Sequence, residues 1–164
     1  MPAKKKVTKK VAPIPKGYHA VTPYLIIRGA AAALAFYKKA FGATELMRMP
    51  GPNGLIGHAE IKIGDSHIML ADEHVEMGYK GPETIGGTPV TIMLYVPNSD
   101  ATFKRAVAGG ATVKEAMEDK FYGDRVGSII DPFGHAWHIG THVRDVPPKQ
   151  MAKAAAELAK KEGW

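Results

Sequence analysis

VTPYLIIRGAAAALAFYKKAFGAT (21–44) and VTIMLYVPNSDATFKRAVAGGAT (90–112) carry one order of elements twice: an apolar strand, a helix and a closing Gly-Ala-Thr. Val21/Val90, Thr22/Thr91, Leu25/Leu94 and Ala32/Ala101 match at an offset of 69 residues, and Gly42/Gly110, Ala43/Ala111 and Thr44/Thr112 at an offset of 68. The spacing predicts two helices. Leu34, Phe36, Tyr37 and Phe41 make the apolar face of the first, which Gly42 stops. Asn98-Ser99-Asp100 starts the second, Ala101, Phe103, Val107 and Ala108 make its face, and Gly109-Gly110 ends it.

Three short alternating runs follow each helix: Glu45–Met49, His58–Ile63 and Ser66–Ala71 in the first unit, and Thr112–Ala116, Val126–Ile130 and Ala136–Gly140 in the second. PGPNG, Gly64-Asp65 and Asp131-Pro132-Phe133-Gly134 separate them as turns. Each unit therefore reads β-α-β-β-β. Two copies are too few for a solenoid, and the expected fold is α+β, a pair of open sheets that close on each other.

Lys and Arg number 22 against 16 Asp and Glu, but six lysines and no acid fall in residues 1–16. Without them the body balances at 16 against 16, a poor nucleic-acid scaffold, so a nucleic-acid role would rest on the tail alone. With no cysteine, any metal would need His, Asp or Glu. No apolar run approaches the roughly 20 residues that span a bilayer, and the lysine-rich start lacks the apolar stretch of a signal peptide, so a cytoplasmic protein with no membrane partner is expected. The expected organisation is a basic tail over 1–16, one domain over 17–145 with modules at about 18–76 and 88–142, and a helical tail over 146–164. In that last segment Val146-Pro147-Pro148 precedes MAKAAAELAKKEGW.

Among chemistry-bearing residues, Gly123 stands between Tyr122 and the Asp124-Arg125 pair, which allows a ring to sit beside a fixed charge, a combination suited to orienting a small polar ligand; an ion pair at the sheet rim is the alternative. His58 and Glu60 alternate with Ala59 and Ile61 and share one strand face, which is either a site or the polar side of a half-buried strand. His138 points opposite to Trp137 and Ile139, and His135 follows Gly134 in a turn expected to face solvent.

The stretches AFYKKAFGA, GHAEIKIGDSHIMLADE and above all FYGDRVGSIIDPFGHAWHIGTH resemble the vicinal-oxygen-chelate superfamily, in particular its PhnB-like, glyoxalase/bleomycin-resistance type members, over about residues 18–142. The resemblance implies curled mixed sheets enclosing a small-molecule cavity, and homodimers. It places the usual metal-ligand positions at Thr22, Met69, Thr91 and His138, of which only His138 is a ligand type. Glu73 is a distant second candidate, and His58, Glu60, Asp72 and His135 sit on or beside the same strands. The expectation is a small-molecule binding protein of uncertain catalytic activity, its cavity lined by Tyr122, Arg125, His138, His58 and Asp72. The alternative is a lyase, isomerase or dioxygenase whose divalent metal is held by some of His58, Glu73 and His138.

Overall fold

The computed structural model describes residues 11–163; most of the lysine-rich tail, and Trp164, lie outside them. The first unit runs β1 (Tyr24–Ile27), α1 (Ala30–Phe41), β2 (Thr44–Pro50), β3 (Ile56–Ile63) and β4 (Ser66–Asp72). A connection containing the short α2 (Pro82–Ile85) leads to β5 (Thr91–Tyr95), α3 (Ser99–Ala108), β6 (Thr112–Asp119), β7 (Asp124–Ile130) and β8 (Ala136–His142), and α4 (Pro148–Glu162) follows. Strand order is β1-β4-β3-β2 in one sheet and β5-β8-β7-β6 in the other, with β1/β4 and β5/β8 parallel and the remaining pairs antiparallel.

The helix ends follow from their residues. Gly42 and Gly110 have φ of 70° and 103°, the left-handed region where a side chain is strained, and each turns the chain out of its helix. Asn98 caps α3 by accepting from the Ala101 amide at 2.9 Å. α1 has no cap of its own; Asp72, at the end of β4, supplies one, its Oδ1 accepting from the amides of Gly29 and Ala30 at 2.9 and 2.8 Å.

α1 and α3 pack against each other, so the modules share one core. Leu34, Tyr37, Ile61, Leu70, Ile129, Trp137 and Ile139 are completely or almost completely buried there. Phe41 and Trp137 pack with their rings tilted, 4.8 Å between centroids, across the module boundary, and Arg105 Nε of α3 donates to the Ala40 carbonyl at 3.1 Å. The expected face of the second helix is corrected. Ser99, Thr102 and Ala106 are its buried residues, Phe103 packs partly, and Val107 and Ala108 are exposed. The reason is the rings of α1, which demand small partners: a side chain at Gly109 would stand 2.9 Å from Phe36 Cε2.

The fold class is thus α+β with two β-α-β-β-β modules, but the sheets do not close on each other. The helices occupy the space between the modules, and each sheet keeps one face turned away from them, here termed its open face. His135 also departs from expectation: its ring is half-buried and Nε2 donates to the Ile26 carbonyl at 3.1 Å, tying the β7–β8 turn to β1.

Candidate functional site

Strand alternation decides what reaches each open face. In module one Ala59, Ile61, Ile63, Ile68 and Leu70 enter the core, so His58, Glu60, His67, Met69 and Ala71 face outward. Register places Tyr24, Met69, Glu60 and Met47 side by side across four strands. The same row in module two is Met93, His138, Ser128 and Glu115. These are the repeat's equivalent positions, at offsets of 69 or 68.

On the first face the Tyr24 hydroxyl meets His58 Nδ1 at 2.9 Å, and His58 Nε2 meets Glu60 Oε1 at 3.1 Å. Tyr18 donates to Glu60 Oε2 and stacks on His67 at 4.2 Å. A carboxylate only accepts, so His58 donates from Nε2 to Glu60, and in the neutral ring Nδ1 accepts from Tyr24. Hydrogen bonds from Tyr18 and His58 lower the Glu60 pKa against the opposing effect of burial, and Tyr18 is raised to about 12 by its bond to Glu60. Beside this chain lies a cavity of about 500 Å³, lined by Tyr24, Ile26, Leu55, Ala71, Met77 and Tyr79 among others. Its wall is mainly apolar, and the Tyr24 hydroxyl is the link to His58.

On the second face Ser128 Oγ lies 2.6 Å from His138 Nδ1 and 3.1 Å from Glu115 Oε2, with Lys120 Nζ 3.8 Å from the same Glu115 oxygen. Toward the strand ends Tyr95 donates to Asp124 at 2.6 Å, and His142 pairs with Asp124 at 2.6 Å and Asp145 at 3.0 Å. That bond raises the Tyr95 pKa to about 12. Burial, the leading influence on Tyr122, raises it as well.

The five residues expected to line one cavity are not brought together. His58 and His138 reach the open faces of different modules, and Tyr122 is part-exposed beside Phe121. Arg125 is turned to the helix side of its sheet, where Nε and Nη2 engage both Asp100 carboxylate oxygens at 2.6 and 2.8 Å, and these bonds raise its pKa. Asp72 touches the cavity, but its oxygens accept from Gly29, Ala30 and Ile56 amides. Tyr24, Ser128 and Glu115 escaped the sequence reading. Aligning the strands of the repeat on a common register is the signal that finds them.

The residues named for a divalent metal do not fit one. Glu73 is taken by Arg28 at 2.7 Å, Thr84 Oγ1 at 2.6 Å and the Gly81 amide at 3.2 Å, and Thr84 and Arg28 in that order hold its pKa down at about 2. His58 has both ring nitrogens bonded, and no three His, Asp or Glu side chains among the described residues converge as a ligand set.

Comparison with known proteins adds the family. The model of the Glyoxalase/Bleomycin resistance protein/Dioxygenase superfamily matches residues 18–139. An uncharacterized protein of Mycobacterium tuberculosis (strain H37Rv) is 49% identical over 138 residues, 82% of this chain and 81% of its own length. A crystal structure of a Pseudomonas aeruginosa protein aligns at 26% identity and a TM-score of 0.61 over 76% of this chain and 98% of that one. The PhnB protein of Bacillus cereus shares the fold, at 14% identity and a TM-score of 0.60 over 77% of this chain and 100% of its own.

Proposed function

The chain belongs to the glyoxalase/bleomycin resistance protein/dioxygenase superfamily, and on that premise we propose that it binds a small molecule on its open sheet faces and does so as a homodimer. The observation that carries the reading is the cavity of about 500 Å³ beside Tyr24, whose hydroxyl is tethered to His58. A mainly apolar pocket with few, fixed polar groups suits a compact organic ligand with one or two hydrogen-bonding atoms. The second copy is argued from what the single chain leaves uncovered. Tyr24, Met47 and Met49 on the first face, and Met93, Tyr95 and Tyr122 on or beside the second, are 37–59% exposed. Large side chains of this kind in two related patches suit a two-fold contact in which one module of each protomer covers the other module of its partner.

Methionine methyl NMR tests this. A set of small aromatic and carboxylic fragments added to the full chain is expected to shift Met49, Met69 and Met77, in or beside the cavity, and to leave Met117, packed on the helix side against Phe103 near Gly127, unmoved. Analytical ultracentrifugation is expected to show a dimer that Met93→Lys weakens. A monomer at all concentrations, or fragments that move Met117 alone, would sink the reading.

A further inference from the structure

Of the imidazoles on the open faces, His58 and His138 are separated by proton accounting. His58 spends both nitrogens on Tyr24 and Glu60. His138 makes one described contact, Nδ1 to Ser128 Oγ at 2.6 Å, and Ser128 also meets Glu115 Oε2 at 3.1 Å. The serine has a single proton. A carboxylate cannot donate, so that proton points to Glu115, and the short contact to His138 requires the ring to donate from Nδ1. The neutral ring therefore holds its proton inward and turns the Nε2 lone pair to the open face.

We propose that His138 is the ligand-facing proton acceptor of the second module, and that Ser128 and Glu115 are positioning residues that hold its ring in the Nδ1–H form. The inference rests on the reading that these faces receive a small molecule, and it adds the ligand's chemistry: an O–H or N–H group on an apolar body. Met93, the cross-strand neighbour of His138, and Val126 supply the apolar surface, closing together over Gly140, where a side chain would have no room. If the proton transfers, the ligand's O–H or N–H bond breaks, Nε2–H forms and the electron pair stays on the ligand. The imidazolium keeps its Nδ1–H bond to Ser128, and the Glu115 carboxylate faces the new charge through one hydroxyl. Lys120 is the one cation placed against Glu115 in the described ion pairs, and it also engages Glu118.

The test reads the tautomer directly, by long-range proton–nitrogen correlation on the full chain labelled with ¹⁵N-histidine, at a pH above the ordinary imidazole range. His138 is expected as Nδ1–H. In Glu115→Ala the serine proton is released to Nδ1 and the ring is expected to switch to Nε2–H; in Ser128→Ala both forms are expected. Glu115 is half-exposed, so its removal spares the core, and a thermal melt checks the fold. A wild-type ring already in the Nε2–H form, or no switch in Glu115→Ala, overturns the arrangement. Phenol is the probe for the ligand-facing role: it is expected to shift His138 Nε2 and the Met93 methyl, the latter at least severalfold less in His138→Phe. A tautomer that switches as expected while phenol moves neither group overturns that role. Failure of the wider binding reading is seen separately, at the methionines of the module-one cavity.

Discussion

Tyr37 of α1 donates its hydroxyl hydrogen to Asp131 Oδ2 at 2.7 Å, a contact between residues 94 positions apart that latches the first module's helix to the second module's β7–β8 turn. Trp137 Nε1 donates to the same oxygen at 2.9 Å, and the amides of Phe133 and His135 donate to Oδ1 at 2.9 and 3.0 Å. Tyr37, Asp131 and Trp137 are buried, and burial first, then the Asp131 charge, pushes the Tyr37 pKa well above its ordinary value. Tyr37→Phe removes one charge-assisted bond, an expected loss of about 1.5–3 kcal/mol in urea unfolding. Asp131→Ala strands several buried donors and is expected to cost more, about 3–5 kcal/mol. A Tyr37→Phe chain as stable as wild type would show that the latch contributes nothing.

Gly110→Val forces a branched residue into a backbone with φ of 103° and is expected to destabilise by about 1–2 kcal/mol through strain. Nothing crowds the position, the nearest contact of an added Cβ being Pro132 Cγ at 3.6 Å, so conformation and not collision is tested. Gly110→Asn, which tolerates this region better, is expected to lose less. Equal losses for both would point to another cause.

Stability near neutral pH is expected to carry the signature of His142. Hydrogen bonds to Asp124 and Asp145 raise its pKa above 6.5 in the folded chain. Its contribution is therefore complete below about pH 6.5 and is lost as pH rises through the folded value. The partner runs the other way: burial tends to raise the Asp124 pKa, but bonds from Tyr95 and His142 outweigh it and lower it, so its contribution holds above the unfolded carboxylate value and is lost as pH falls through the folded one. Melting temperatures of wild type and His142→Ala are expected to converge as pH rises above about 6.5. A constant gap would mean that the proton is not involved.

Elemental analysis of the chain purified without chelator is expected to find well under one equivalent of zinc, nickel, iron or manganese. Glu73 and His58 are already engaged within the chain, and His138 alone falls short of the three protein ligands of a catalytic zinc site. His138→Ala is then expected to leave metal content unchanged. A stoichiometric metal lost on that substitution would restore the metal-dependent reading.

The modules were legible in the sequence because their signals are local. Asn98 caps the helix it precedes, Gly42 and Gly110 turn where expected, and each run after the helices forms a strand, several longer by two or three residues. The facing of His138 was also readable from alternation with Trp137 and Ile139. Arg125 was not, because β7 begins at Asp124, two residues earlier than the apolar run, and its register with β8 turns Arg125 to the α3 side. Asp72 resembles a binding carboxylate until the amides of Gly29, Ala30 and Ile56, distant in sequence, are found on it. What escaped the reading was set by strand register at Arg125 and by partners from far along the chain at Asp72.

The two rows Tyr24–Met69–Glu60–Met47 and Met93–His138–Ser128–Glu115 occupy one backbone frame repeated. After a duplication, such a frame lets the halves diverge chemically with no structural event at all, one exchange of side chain at a time. The divergence is also reversible by hand: Tyr24→Met, Met69→His, Glu60→Ser and Met47→Glu would write the second row into the first sheet. The resulting chain would carry the same row on both faces, and His58, stripped of Tyr24 and Glu60, would be left among the side chains that still tell the halves apart.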